Sequence, residues 1–267
     1  MKDRFSLKAG GIFASFANFE LLPENLDNNH CHDFYEILFV IHGSGRYIVE
    51  GTEFIVRPRT LMVFRPLAYH YVSLDPEVAY ERFLIHFPKN AVPAPALAML
   101  EKITGENDGS GNYYPPSAIS DSLNSAFDRF EIAAGLPDDE KQAYVKIILA
   151  EIIILLSASA GERMLNNEED LGARVIRYLN GHIEHDINLD KLAKRFFVSK
   201  YYLCRAFKKH NGISVHGYLV QKRIAYAKQL IESGETASGA AYKVGFGDYS
   251  AFYRAYVKIV GKSPTSD

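Results

Sequence analysis

Between Phe5 and Pro88 the apolar residues come in short β-branched and aromatic runs: YEILFVI, RYIVEG, TEFIVRP, TLMVFRP, HYVSL and ERFLIHF, parted by turn signals such as HGSG. Runs this short and this closely spaced predict antiparallel strands closed into a barrel or sandwich. From Ala91 to Pro116 the pattern lapses into Pro, Gly, Asn and Asp without a period, which predicts an irregular connection. Helical spacing then predicts helices over 120–132 and 138–159. The second opens on Pro137, Asp138, Asp139 and Glu140, which sets acidic groups at the positive end of the helix dipole. Its continuation, Ile147 to Ala160, is apolar on most faces but carries Glu151 and follows Lys146. It is too short and too charged to span a bilayer, so it must be covered by the barrel or by a second copy of itself. The polar stretch Asn166 to Asp170 predicts a linker.

Beyond the linker the chain repeats itself at an offset of 49 residues: LAKRFFVSKYYLCRAFKKHNGIS returns as AYKVGFGDYSAFYRAYVKIVGKS. Lys194 then pairs with Lys243, Phe197 with Phe246, Leu203 with Phe252, Arg205 with Arg254, Phe207 with Tyr256 and Gly212 with Gly261. Each copy predicts a short helix (189–196; 237–244), a tight connection, and a second helix capped by Ser199 or Asp248. In the second helices Leu203 and Phe207, or Phe252 and Tyr256, stand four apart and anchor one face. The opposite face offers Lys200, Tyr201, Cys204, Arg205 and Lys208 in one copy, and Tyr249, Ser250, Tyr253 and Arg254 in the other. An arginine one turn into such a helix can fork onto guanine O6 and N7 in a major groove. A long amphipathic helix, Val220 to Ser233, separates the copies and would fix their spacing.

Charge sharpens this division. The whole chain is close to neutral at −2, but residues 1–170 hold 14 Lys and Arg against 25 Asp and Glu, and residues 171–267 hold 16 against 7. The C-terminal part at +9 attracts polyanions, while the N-terminal part at −11 is repelled by the same surface. Cys31 and Cys204 fall in different parts, which speaks against a disulfide framework and for a reducing cytoplasm. The N-terminal MKDRFSLKAGG has no apolar signal core. No glycine-serine elbow, Cys/His nucleophile pair or phosphate-binding glycine loop is present, so nothing here points to an enzyme of those classes.

The N-terminal part carries one cluster of candidate chemistry. His30, His32 and Glu36, then Gly43, follow the spacing of the first cupin motif, and His70 stands where the second would supply its histidine. On a strand residues 30, 32 and 36 share parity and would face one side, the expected barrel interior. Three imidazoles and a carboxylate could bind Fe, Mn, Zn or Ni. The motifs are incomplete, with Glu24 in place of the leading glycine and ProArgThrLeu in place of the glycine-rich part of the second. The expectation is therefore an effector contact through His30, His32, Glu36, Arg46 and His70, with no bound metal and no cofactor. A structural role, in which His30 and His32 hydrogen-bond to Glu36 and close the barrel mouth, stands beside it. Tyr47, Tyr69, Arg82 and His86 are further polar candidates.

The segment NLDKLAKRFFVSKYYLCRAFKKHNGISVHGYLVQKRIAYAKQLI, followed by AAYKVGFGDYSAFYRAYVKIVGKSP, resembles the DNA-binding domain of the AraC/XylS family of bacterial regulators, and HCHDFYEILFVIHGSGRYIVEG resembles the sensor domain of the same family. Val257 and Ala251 depart from the usual pattern, in which a lysine and an aromatic are common. The resemblance implies an α+β chain: a cupin-like antiparallel β-barrel with following helices over 1–165, for effector sensing and dimerisation, and an all-α double helix-turn-helix domain over 171–267. It implies a transcription regulator, not an enzyme, that binds double-stranded promoter DNA as a homodimer, responds to a small-molecule effector, has RNA polymerase as a possible partner, and needs no membrane. The rival readings are a cupin-type metalloenzyme fused to a DNA-binding domain and a constitutive regulator whose barrel serves only dimerisation.

Overall fold

The structure, a computed structural model, describes residues 2–20, 30–105, 111–159, 161–163 and 171–265. The expected linker at 166–170 and the motif position Glu24 lie outside the described residues. The chain forms two compact units, the first within 1–28, 34–49 and 53–165, and the second built on 166–267 together with the short segments 29–33 and 50–52.

The first unit is two antiparallel sheets. The strands are β1 (Lys2–Ala9), β2 (Ile12–Phe19), β3 (Tyr35–His42), β4 (Gly45–Val49), β5 (Thr52–Val56), β6 (Thr60–Phe64), β7 (His70–Leu74), β8 (Tyr80–Phe87), β9 (Gly111–Tyr114) and β10 (Glu162–Arg163). The larger sheet runs β1-β2-β8-β3-β6-β9-β10 and the smaller β5-β4-β7. The uninterrupted apolar runs of β3 and β6 follow from burial on both faces. One face of the large sheet, with Leu38, Val40, Met62 and Phe64, packs on Tyr47, Val49 and Val72 of the small sheet. The other face, with Ile37, Phe39, Val63 and Ile85, packs on helices.

Those helices are α1 (Ala94–Thr104), α2 (Asp121–Ala134) and α3 (Asp138–Ala158). The segment expected to be irregular contains α1 and β9. Prolines mark the entry of α1, and Ala96, Leu100 and Ile103 at helical spacing form its buried stripe, a period masked in the sequence by the flanking Pro and Gly. Ser120 caps α2 by accepting the amide of Leu123, as the sequence pattern requires. Among the described residues no helix is long and apolar enough to cross a membrane; α3 instead buries Val145, Ile148, Leu149, Ile152, Ile153 and Leu156.

The second unit is helical: α4 (Leu171–Asn180), α5 (Leu189–Arg195), α6 (Lys200–Asn211), α7 (Val215–Glu232), α8 (Ala237–Lys243) and α9 (Tyr249–Val260). α4, which has no counterpart in the repeat, packs on α6 through an amphipathic face with Ala173, Ile176 and Leu179 buried. The spacer helix α7 starts a turn earlier than its periodicity suggested, because Ser214 caps it by accepting the amide of Gly217.

The repeat is real, but its register shifts within the turn. Caps Asn188 and Thr236 and helices α5 and α8 match at an offset of 48, whereas caps Ser199 and Asp248, helices α6 and α9, and the left-handed glycines Gly212 and Gly261 match at 49. The backbone agrees: Val198 N donates to Ala193 O as Phe246 N donates to Ala241 O. Phe197 therefore corresponds to Gly245 rather than to Phe246, and Lys194 to Tyr242 rather than to Lys243. The second connection has one residue more.

Candidate functional site

The helices α6 and α9 are held as the sequence demands. Ser199 Oγ accepts from the amide of Tyr202 at 3.1 Å, and the Asp248 carboxylate accepts from Ser250 and Ala251 at 3.2 and 2.8 Å. Leu203 and Phe207 on α6, and Phe252 and Tyr256 on α9, are fully buried, so the other face of each helix is turned outward. Phe207 meets Tyr218 of α7 edge to face, and Phe252 does the same with Phe246 in the turn. Of the expected contact residues, Lys200, Tyr201, Arg205 and Lys208 are exposed on α6, and Ser250, Tyr253 and Arg254 on α9; Cys204 and Tyr249 are half-buried. Tyr249 leans on Phe252, with ring centroids 5.7 Å apart, and supports the start of α9. Lys200 is tied to Asp190 of α5 at 3.0 Å, so it would have to exchange that partner for a phosphate. Lys209 and Lys258 are exposed at matching positions four residues beyond the two arginines. The four-residue step from Arg205 and Arg254 could have found them.

The candidate residues of the first unit gather at one end of its sheets. Glu36 on β3 lies opposite His86 on β8 and Phe64 on β6, and its Oε2 accepts from His86 Nε2 at 2.9 Å. His70, at the start of β7, is buried and stacks on Phe64 with centroids 4.4 Å apart. Its Nδ1 donates to the carbonyl of Ala68 at 2.9 Å, which leaves Nε2 facing Glu36 Oε2 at 3.9 Å. His30 and His32, with ring centroids 5.7 Å apart, stand in the segment before β3 that belongs to the second compact unit.

The parity argument does not apply to His30 and His32, because strand β3 begins only at Tyr35. Arg46 is not part of the group: it is exposed and pairs with Glu53 at 3.3 Å on the surface of the small sheet, because position 46 faces outward while Tyr47 faces the core. His86 joins the group instead. Tyr47 pairs with Tyr80 in the core, Tyr69 is buried, and the Arg82 guanidinium lies 5.8 Å from the Phe19 ring centroid.

Comparison with known proteins fits both halves. The model of the AraC-like ligand binding domain matches residues 23–156, and that of a helix-turn-helix domain matches residues 192–266. An uncharacterized HTH-type transcriptional regulator, YbfI of Bacillus subtilis, is 29% identical over 235 residues, covering 83% of this chain and 80% of its own. The HTH-type transcriptional activator RhaS of Escherichia coli O139:H28 is 24% identical over 254 residues, covering 94% of this chain and 91% of its own. Among solved structures, ToxT from Vibrio cholerae O395 aligns over 96% of both chains at 11% identity and a TM-score of 0.41. With the ligand-binding model spanning half of the sequence and the helix-turn-helix model most of the remainder, the chain belongs to the AraC family of transcriptional regulators.

Proposed function

We propose that α6 and α9 enter successive major grooves of one promoter duplex, that two copies of the chain bind together, and that a small ligand taken up by the N-terminal unit at the Glu36 end controls them. The observation that carries the DNA reading is the pair Arg205 and Arg254, exposed at the same position of two capped helices whose opposite faces are fully buried. A forked guanidinium at that place is suited to a guanine edge, and the neighbouring Tyr201, Lys208, Ser250 and Tyr253 are suited to phosphates and flanking bases. The 18 residues of α7 make a rod of about 27 Å, a length compatible with sites one turn of DNA apart. The chain would act in the cytoplasm by binding and not by catalysis, and relatives named as activators support RNA polymerase as a protein partner.

The test uses a duplex that the protein itself selects from a random pool. Arg205→Ala and Arg254→Ala should each weaken binding to that duplex by about 1–3 kcal/mol at fixed salt and relax selection at one base position. Their melting temperatures should match the parent, since both side chains are exposed. Unchanged affinity in both variants would sink the assignment of α6 and α9.

A further inference from the structure

We infer that the Phe197 ring, in the turn of the first helix-turn-helix unit, is a DNA-backbone contact that packs on a deoxyribose at the edge of the groove entered by α6. This adds a residue outside the two outward helix faces, and it rests on the reading of α6 as a groove-entering helix.

Phe197 is held where a phenylalanine is least favoured. Its backbone lies in the left-handed region at φ 56, and its ring is 94% exposed. A side chain in that region is strained, and a ring left in water offsets none of the strain by burial. The residues on either side behave otherwise. Phe196 is half-buried and meets Tyr178 edge to face at 6.2 Å, and Val198 is half-buried with its amide donating to the Ala193 carbonyl at 3.1 Å. The second unit makes the same turn with Gly245 at φ 87 and packs its own aromatic, Phe246, against Phe252. The turn itself therefore does not require an outward ring. Strain kept without any gain in packing points to a contact made outside the chain.

Place and charge name the partner. In a helix-turn-helix the first helix crosses the sugar-phosphate backbone, while the N-terminal residues of the second enter the major groove. Phe197 stands two residues beyond the end of α5 and three before the start of α6, where the backbone borders the groove. Lys191, Lys194 and Arg195 are exposed on α5 and give that edge the positive field that draws phosphates. Within the backbone it is the deoxyribose that offers an apolar surface, so the ring takes a sugar and the cations take the phosphates beside it. Every nucleotide carries that sugar, so the contact fixes the depth and register of α6 without reading sequence.

The experiment uses the full-length protein and the duplex it selects from a random pool. Two variants are compared with the parent: Phe197→Asn, which removes the ring and suits left-handed backbone, and Phe197→Tyr, which keeps the ring. Phe197→Asn should bind about 10-fold more weakly, the loss expected when about half of a phenyl ring is no longer taken out of water, and Phe197→Tyr should bind like the parent. The loss should be equal on the selected and on a scrambled duplex. The slope of log affinity against log salt should not change, because no phosphate partner is removed. Hydroxyl-radical footprinting, which reads access to individual sugars, should show deoxyriboses at the edge of the α6 site that the parent protects and Phe197→Asn leaves open. Phe197→Asn should melt at or above the parent, so affinity and stability move in opposite directions. Unchanged affinity and footprint overturn the contact, as does a loss confined to the selected duplex. A lower melting temperature in Phe197→Asn would give the ring to folding, and intact DNA binding with lost transcription by purified RNA polymerase would give it to a protein partner; either result sinks the proposal. If Arg205→Ala weakens binding and Phe197→Asn does not, this contact falls alone; if the parent selects no duplex, the reading of α6 falls with it.

Discussion

Tyr47 and Tyr80 meet hydroxyl to hydroxyl at 3.3 Å in the core between the two sheets, each almost wholly buried. Burial pushes the Tyr80 phenol up to about 12 and holds Tyr47 well above its ordinary value of 10.0. An unfolded chain ionises its tyrosines near pH 10, so from there to about 12 the unfolded state has released protons that the folded state keeps. The sign follows: with fewer protons bound in the unfolded state, stability is fully present below pH 10 and drains away as pH rises toward the folded value. Tyr80 alone contributes a loss on the order of 2 kcal/mol across that window. Tyr80→Phe should melt lower than the parent near neutrality, because Tyr47 loses its partner, yet fall less steeply between about pH 9.5 and 11.5. Thermal melts of both proteins across that range check this, and parallel curves would sink it. In the sequence Arg46 and Tyr47 both stood as polar candidates, and the structure turns Arg46 outward and Tyr47 inward. Its partner was not legible, because β4 and β8 belong to different sheets and no local pattern aligns them.

At the scale of elements, the two helix-turn-helix units are the same device with different turns. Phe197 sits at φ 56 with its ring 94% exposed, while its structural counterpart is Gly245 at φ 87. A left-handed backbone costs a residue with a side chain about 1–2 kcal/mol and costs glycine little. An exposed ring returns almost nothing by burial, and the extra entropy of a glycine in the unfolded chain offsets part of the relief. Phe197→Gly is therefore expected to stabilise the protein by about 0.5–1 kcal/mol. Gly245→Ala should have the opposite sign and a larger size, because its Cβ would stand 2.5 Å from the carbonyl oxygen of Glu184 as well as at positive φ. Denaturant melts of the two variants decide the matter; a loss of stability in Phe197→Gly would show that the ring holds the turn. The sequence carried the repeat and its caps clearly, since capping and four-residue spacing are local rules. It misled on the turn because Lys194 with Lys243 and Phe197 with Phe246 coincide at an offset of 49, while the buried Ala193 and Ala241 keep the true offset of 48. The histidines show the converse: Glu36 and His70 were legible as neighbours, whereas strand parity could not place His30 and His32, because strand β3 begins only at Tyr35.

For the whole molecule the charge division and one helix face set the expectation. Helix α3 buries one side in its own unit but leaves Ile147 60% and Ile154 43% exposed, seven residues apart on one outward stripe, and α2 adds Ile132 at 61%. Arg129 of α2 and Glu151 of α3 form an ion pair beside that stripe. Apolar side chains flanked by paired charges are what a second copy of the same face could cover, by the symmetry that makes most small assemblies isologous dimers. Dimerisation would serve DNA binding in a definite way. Residues 1–170 carry −11 and are repelled by the duplex, whereas residues 171–267 carry +9, and at about 0.1 M salt the repulsion is screened beyond about 10 Å. Tethering turns binding of the second module into an intramolecular step and raises affinity by roughly 10²–10⁴ without new contacts. In a dimer, a gain of that size would outweigh the screened repulsion. The double variant Ile147→Glu, Ile154→Glu should leave each chain folded, since both positions face solvent, convert dimers to monomers by sedimentation, and weaken binding to a duplex carrying two half-sites by about 100-fold. Binding to a single half-site should stay at the parent level, which separates loss of tethering from damage to the reading helices. A variant that remains dimeric, or one that is monomeric yet binds the double site as tightly as the parent, would show that this face does not join two copies for DNA binding.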